Sequence, residues 1–178
     1  MAKNVAGVRS ELDPKEFKNP TLAFLRSYWD DKRGQRPMPS RSDIRPSEMK
    51  EHLGWILLLD VLDGGEDFRF RTVGTRVSEY FLMDGTGKTV SEAFVSYGEA
   101  AVAAVLATHR KVAREAVVLR AHGGADLFGR AFLDFDALYL PLSEDGQTVN
   151  MILSGFTFDQ SAVLKARGAP PDAPPDAT

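Results

Sequence analysis

The sequence contains no cysteine among its 178 residues. This absence excludes disulfide bonds, thiolate nucleophiles, cysteine-ligated zinc and iron–sulfur clusters. It also excludes flavin photochemistry that proceeds through a cysteinyl adduct. Histidine is scarce as well, and the spacing of His52, His109 and His122 does not predict a metal cluster. Catalysis or binding that depends on these side chains is therefore confined to a few positions.

Long apolar runs are also missing. The longest, at 55–59 and 100–108, are far shorter than the roughly 18 residues needed to span a bilayer. The first sixteen residues are polar and mixed in charge, which does not predict a secretory signal. We therefore expect a cytoplasmic protein with no membrane insertion.

The small net charge of −3 conceals an asymmetry along the chain. Residues 1–50 carry eleven basic and seven acidic side chains, whereas the remainder carries eleven basic and eighteen acidic ones. A basic cluster can attract nucleic acid or lipid headgroups, but it is more often a solvated connector. We do not expect a nucleic-acid partner. The cluster consists of Lys32, Arg33, Arg36, Arg41 and Arg45.

The apolar share of 43% and the aromatic share of 10% are sufficient for one globular core. Residues 1–18 show no sustained periodicity and predict a flexible arm. The proline-rich end predicts disorder over 161–178. Between these segments we expect a helix and connector over 19–52 and a single folded domain over 53–160.

The connector region begins with a predicted helix. Asn19 is a plausible N-cap, Pro20 suits the first helical position, and Gly34 ends the helix after about Lys32. Its apolar stripe is wide enough for two interpretations: the helix packs on its own domain, or it forms a dimer contact with a second copy. The residues in question are Leu22, Phe24, Leu25, Tyr28 and Trp29.

Residues 55–73 predict a β-hairpin that turns at 63–66. Phe68 and Phe70 alternate with Arg69 and Arg71, so one face is apolar and the other basic. We expect the arginines to form cross-strand pairs with carboxylates, and anion capture on an open sheet surface is the alternative. The candidate carboxylates are Asp60, Asp134 and Asp136.

The rest of the chain predicts helices followed by strands. Helical periodicity covers 75–82, 90–94 and 97–111, and strand patterns cover 113–121, 130–142 and 148–158. Turn chemistry at 122–125 and 143–146 separates these strands. Because the close connections are hairpins, we predict an α+β fold: a five-stranded antiparallel sheet with helices on one face, plus the N-terminal helix.

This order, together with several motifs, resembles the PAS domain, and in particular short stand-alone bacterial PAS proteins. The motifs are Pro-Met-Pro-Ser-Arg-Ser-Asp-Ile-Arg-Pro at 37–46, Leu-Leu-Leu-Asp-Val at 57–61, Phe-Arg-Phe-Arg-Thr-Val-Gly-Thr at 68–75 and Asp-Gly-Thr-Gly at 84–87. The resemblance implies a signal-transduction or regulatory domain and transfers no catalytic residue. Its marker positions are Asp43, Pro46, Asp60, Arg71, Gly74, Thr75, Thr86 and Gly87.

PAS domains often hold ligands between sheet and helices, so the resemblance also implies a candidate pocket. Its predicted lining is Phe70, Tyr80, Phe81, Phe94, Val102, Leu106, His109 and Met151. In haem-binding PAS sensors a histidine of the same helix ligates the iron, which makes His109 a candidate ligand. The structural alternative for His109 is a role at the helix C-terminus. We predict no cofactor, with haem or another small ligand as the alternative.

The sequence evidence for a catalytic site is weak. Asp134 and Asp136 share a strand face and could act as a carboxylate pair, which leaves a small α+β enzyme on an apolar substrate as a further alternative. The Asp-Gly-Thr-Gly segment lacks the spacing of a phosphate-binding loop and predicts a turn. We therefore predict a non-catalytic sensory module that acts through a signalling protein or as a homodimer.

Overall fold

A computed structural model describes residues 17–81 and 84–159 of the chain. The tail expected over 161–178 lies outside the described residues, as does most of the arm expected over 1–18. Phe17 belongs to the last part of that arm, yet it is buried, with the guanidinium carbon of Arg120 4.8 Å from its ring centre. The folded part of the chain therefore includes the end of the expected arm.

The described residues form four α-helices and five β-strands. The helices are α1 (Pro20–Arg33), α2 (Thr75–Phe81), α3 (Val90–Phe94) and α4 (Glu99–Glu115). The strands are β1 (Ile56–Leu62), β2 (Asp67–Val73), β3 (Leu119–Ala125), β4 (Arg130–Leu142) and β5 (Met151–Asp159). Among these described helices, none combines the length and apolar character needed to cross a bilayer.

The five strands form one antiparallel sheet in the order β2-β1-β5-β4-β3, which confirms the predicted α+β fold. Alternate residues of a strand point to opposite faces. Leu57 pairs with Ser154, which in turn pairs with Tyr139, so these three share one face. We call this the inner face, and the face that carries Gly155 the outer face.

Helix α1 packs on the outer face. Its N-terminus is capped by the Asn19 side chain, which accepts a hydrogen bond from the Thr21 amide at 2.8 Å. Leu22 and Leu25 are fully buried against Gly155, where an added Cβ would overlap the Leu25 side chain. Trp29 Nε1 donates to the Pro141 carbonyl at 2.8 Å. The helix is therefore part of the fold of its own chain.

Helices α2, α3 and α4 cover the inner face. Phe70 of β2 faces Phe94 of α3 with ring centres 6.3 Å apart, and Phe68 faces His109 of α4 at 5.2 Å. The sheet is thus buried on both faces, with one helix on the outer side and three on the inner side. This arrangement explains why strands β1 and β5 are apolar almost throughout.

Three predicted boundaries are wrong. The helix predicted over 97–111 continues to Glu115 and ends at Ala116 in the left-handed conformation, so the strand predicted over 113–121 begins only at Leu119. Residues 122–125, predicted as a turn, remain paired with β4, and the chain reverses through a 3₁₀ turn at Asp126–Phe128. The last strand begins at Met151 instead of residue 148.

The connector contains two 3₁₀ segments, Pro46–Glu48 and Lys50–Trp55. The Asp43 carboxylate accepts the Ser40 amide at 2.8 Å and closes its own turn. Asp43 also pairs with Arg36 at 2.9 Å. The backbone hydrogen bond to Ser40 is the largest of the influences that lower the pKa of Asp43.

Candidate functional site

A cavity of about 780 Å³ lies between the inner face and helices α2 to α4. We call it the helix-side cavity. Asp126 and Leu127, beside β3, are exposed, so this side of the cavity faces solvent. The lining residues are Leu57, Phe70, Val73, Val77, Phe81, Phe94, Ala104, Val105, Thr108, His109, Ala121, His122, Gly123, Gly124, Asp126, Leu127, Phe128, Phe135, Tyr139 and Phe156.

Four of the eight predicted pocket residues line the helix-side cavity: Phe70, Phe81, Phe94 and His109. Phe81 contacts aromatic rings of the 126–128 turn and the sheet edge-on, with ring centres 5.3 Å from Phe128 and 5.9 Å from Phe156. Edge-to-face contacts of this kind stabilise aromatic clusters beyond the burial of area alone. The aromatic wall is therefore built largely by mutual ring packing.

The other four predicted residues lie elsewhere. Met151 is on the outer face, because it shares strand parity with Gly155 and not with Phe156. Tyr80 stacks on Phe158 with ring centres 4.4 Å apart, beside the cavity. Val102 and Leu106 of α4 belong to the packed core and are not among the residues that line the cavity.

The sequence prediction missed several lining residues. Phe135, Tyr139 and Phe156 share the inner face of β4 and β5, and in β4 the period of two already predicted that Phe135 and Tyr139 lie on one face. Ala104 and Thr108 come from α4, one residue before Val105 and His109. The 3₁₀ turn that carries Phe128 lies between the predicted turn at 122–125 and the predicted strand at 130–142, so no sequence signal predicted its contribution.

His109 is the polar residue best placed in the cavity. Its Nδ1 lies 2.8 Å from the Val105 carbonyl oxygen, four residues earlier in α4. Because a carbonyl only accepts, Nδ1 carries the proton, and this bond lies within the helix instead of capping its end. Burial lowers the pKa of His109 to about 4, against the weaker raising effects of the Val105 carbonyl and Asp67. The imidazole is therefore neutral at pH 7, with a lone pair on Nε2.

His109 of α4 lies against Tyr139 of the inner face, and Ser154 is paired with Tyr139 on the neighbouring strand. His109 Nε2 and Ser154 Oγ are buried, and neither has a hydrogen-bond partner within the described part of the chain. The Tyr139 ring lies edge-on to His109 with ring centres 5.2 Å apart, and its burial raises the pKa of the phenol. A mostly apolar cavity with a few converging polar groups is typical of small-molecule sites.

The cavity fits haem poorly. His109 Nε2 has the free lone pair that an iron ligand needs, but haem also carries two propionate carboxylates. No lysine or arginine is among the residues that line the cavity, and Asp126 contributes a carboxylate on its exposed side. The described residues also contain no cluster of three or more His, Asp or Glu side chains that could hold a metal ion. The lining suits a neutral ligand better than an anionic one.

The carboxylate pair considered for catalysis does not face the cavity. Asp134 and Asp136 lie on the outer face of β4, four and two residues before the outward-facing Leu138. Asp136 is bound by Arg120 of β3 through two hydrogen bonds of 2.7 and 2.6 Å. Strand β4 is three places from β2 in the sheet, so the expected pairing of these carboxylates with the β2 arginines is wrong.

The predicted pairing of Arg71 with Asp60 is present on neighbouring strands. The Arg71 guanidinium lies 2.9 Å from the Asp60 carboxylate, and Arg71 remains half exposed. Exposed pairs of this kind contribute about 0.2–1 kcal/mol. The pair therefore has a structural explanation that does not require an anion.

The remaining family markers are structural as well. An added Cβ at Gly74 would overlap the carbonyl oxygens of residues 53 and 54, so only glycine fits where the chain leaves β2. Thr75 is the first residue of α2, and the Gly74 carbonyl accepts the Ser78 amide. Pro46 begins a 3₁₀ segment on the surface.

The Asp84–Gly87 segment protects a sheet edge. The Thr86 amide donates to Asp84 at 3.0 Å, and Gly87 has a φ of 82°. The Gly87 amide then donates to the Phe70 carbonyl at 2.7 Å, while the Phe70 amide donates to the Lys88 carbonyl at 3.0 Å. These backbone bonds occupy β2, an edge strand that would otherwise expose unpaired groups.

Three of the five side chains in the basic cluster of the connector form ion pairs within the chain. Lys32 pairs with Glu48 at 2.7 Å and Arg33 with Asp30 at 3.0 Å. Arg36 pairs with Asp43, and Arg41 donates to the Ile44 carbonyl at 2.8 Å. Arg45 donates its amide to the Tyr28 hydroxyl at 2.9 Å. These contacts favour the interpretation of the cluster as a structural connector.

The residues proposed for dimerisation are mostly occupied within the chain. Leu22, Leu25, Tyr28 and Trp29 are buried in the fold itself, and the Tyr28 hydroxyl donates to Glu48 at 2.8 Å. Phe24 is partly buried and stacks on His52 with ring centres 4.2 Å apart. The apolar stripe of α1 is thus used against its own sheet, while the homodimer stays a prediction.

Comparison with known proteins gives one match. A family model described as PAS domain matches residues 17–156, more than three quarters of the chain. Neither the curated proteins nor the solved structures contain a match to this sequence. The matched range covers α1, the whole connector and the walls of the helix-side cavity.

Proposed function

The chain belongs to the PAS domain family, and on that basis we propose that it is a non-catalytic sensory module whose signal is a small, mostly apolar molecule bound in the helix-side cavity. Membership in this family identifies a sensory or regulatory domain. The observation that carries the ligand proposal is the cavity itself, whose volume of about 780 Å³ lies within the range typical of small-molecule sites, roughly 300–1,000 Å³.

The composition of the walls supports an apolar ligand. Six phenylalanine rings line the cavity, and they are Phe70, Phe81, Phe94, Phe128, Phe135 and Phe156. A bound apolar molecule of matching size would make dispersion contacts with these rings and remove their apolar surface from water.

Output through another protein is the second part of the proposal. Phe94 and Phe128 line the cavity, and their chain neighbours Val95 and Leu127 are 69% and 47% exposed. A ligand that moves either ring would therefore alter the adjacent surface, which supports regulation through protein contact. The proposed partner is a signalling protein or a second copy of the chain.

A neutral fluorescent probe, N-phenyl-1-naphthylamine, tests the ligand proposal. Ala104 lines the cavity, whereas the adjacent Ala103 is exposed, so Ala104→Phe and Ala103→Phe form a matched pair. We expect saturable probe binding to the wild type and to Ala103→Phe, with affinity reduced at least about tenfold in Ala104→Phe. Equal binding to all three proteins would refute a cavity site.

Sedimentation of the intact chain tests self-association. A mass near twice the 19.6 kDa of one chain supports the homodimer, whereas a single-chain mass at every concentration refutes it and leaves a different protein as partner. Deletion of residues 1–34 is unsuitable as a test. It removes α1 and uncovers the buried outer face, including Leu138 and Leu153.

A further inference from the structure

The tautomer of His109 determines what its free nitrogen can bind. Nδ1 is committed as a donor to the Val105 carbonyl at 2.8 Å. Nε2 therefore presents a lone pair and can only accept a hydrogen bond. Nε2 has no hydrogen-bond partner in the described residues, and it is buried, since His109 is only 3% exposed. An acceptor in this state is destabilising until a donor reaches it.

Because His109 lines the cavity, a hydrogen-bond donor for Nε2 can come from a molecule bound there. The imidazole lies between the rings of Phe68 and Tyr139, each with its centre 5.2 Å away, and His109 itself lines the cavity. Ser154 lies on the same inner face, paired with Leu57 and Tyr139, and its hydroxyl is a second buried group without a partner in the described chain. Of these two buried groups, His109 is the one that lines the cavity.

The charged groups near the cavity restrict the ligand further. Among the lining residues, Asp126 is the only carboxylate, it is exposed, and no lysine or arginine is present. An anionic ligand would therefore meet no compensating cation there. A cationic ligand would find no buried carboxylate, and a buried unpaired charge is strongly unfavourable.

We propose that the ligand is a neutral, mostly apolar molecule, aromatic in its main part, with one hydroxyl group that donates a hydrogen bond to His109 Nε2. This inference rests on the proposed function, because it assigns a chemical class to the ligand of the same cavity. The phenylalanine walls hold the rings, and His109 selects the hydroxyl. Specificity arises because a ligand without a donor leaves the buried acceptor unpaired.

Two probes of nearly equal shape test the hydroxyl requirement. 2-Naphthol carries the donor, and 2-methoxynaphthalene has the same ring system without it. We expect the wild type to bind 2-naphthol about tenfold more tightly, as measured by titration calorimetry at pH 7.5. We expect His109→Leu to lower this affinity ratio to near one. His109→Gln retains an acceptor oxygen, so its ratio should stay above one.

The affinity ratio separates a positioning contact from a structural role. If His109 only supports the fold, its replacement weakens both probes equally and the ratio is unchanged, which would overturn the inference. A wild-type ratio near one, with both probes excluded by Ala104→Phe, would also overturn it while the cavity site stands. Failure of both probes to bind the wild type would overturn the proposed function and the inference together.

Discussion

The buried His109 makes the stability of the fold dependent on pH in a window that can be calculated. Burial lowers its pKa from 6.5 to about 4, whereas the unfolded chain titrates near 6.5. Between these values the unfolded chain binds more protons than the folded chain, so acidification favours unfolding. The free energy of unfolding should therefore fall by about 2 kcal/mol from pH 7 to pH 5, and by about 3 kcal/mol at pH 4.

Carboxylates contribute mainly below this window. Several have lowered pKa values in the folded chain, so they also lose stability on acidification, but their unfolded values of 3.8 to 4.5 confine most of that loss to below pH 5. Asp67 is the one whose charge acts on His109, and it weakly raises the histidine pKa. The interval from pH 7 to pH 5 therefore isolates His109.

Urea unfolding followed by tryptophan fluorescence measures this effect. With a slope of about 2 kcal/mol per molar urea, the wild-type midpoint should fall by about 1 M between pH 7 and pH 5. His109→Gln cannot be protonated in this range, so its midpoint should change little. His122→Gln, at an exposed position of β3, is the control and should follow the wild type. Equal pH dependence in His109→Gln and the wild type would refute the assignment.

Three further predictions concern close packing and cofactor choice. Gly155→Ala should destabilise the chain by about 1–3 kcal/mol in urea unfolding because its Cβ overlaps α1, whereas Ser154→Ala, which removes an unpaired hydroxyl, should stay within about 1 kcal/mol of the wild type. Gly74→Ala should cost about 2–4 kcal/mol, since backbone oxygens cannot yield. Gly54→Ala meets only a flexible side chain and should cost less; equal losses would contradict this explanation. Added haem should give no Soret band that depends on His109, and a band abolished by His109→Ala would contradict the expected exclusion of haem.

The parts of the fold that sequence predicted well are those with one polar and one buried face. In β2 the alternation of Phe68 and Phe70 with Arg69 and Arg71 identified both faces before any contact was known. Asn19 and Gly34 likewise marked the ends of α1, since capping is a local property. Local chemistry and simple periodicity determine these features, so one sequence is sufficient.

The sequence was uninformative for strands that are buried on both faces and for glycine positions that allow either a turn or extended backbone. Strand β5 is buried on both faces over most of its length, so nothing in its pattern placed Met151 on the outer face and Phe156 on the inner one. Gly123 and Gly124 suggested a turn, but glycine also tolerates extended backbone, and pairing with β4 decided the outcome. Tertiary contacts therefore determine both the orientation of β5 and the conformation of the two glycines.

The helix-side cavity is the clearest case of a property that composition does not encode. Both faces of the sheet are covered by helices through similar apolar residues, yet the outer face is packed so closely that α1 requires a glycine at position 155, while the inner face encloses about 780 Å³. On the inner side, the aromatic rings of α2, α3 and the turn at 126–128 pack on one another as well as on rings of the sheet, and they form the wall of the cavity. The tightly packed outer face stabilises the fold, whereas the inner face borders the cavity and can accept a ligand and respond to it. The unpaired nitrogen of His109 lies on the open side, which is why the affinity ratio of two otherwise matched ligands reports on the site more directly than stability does.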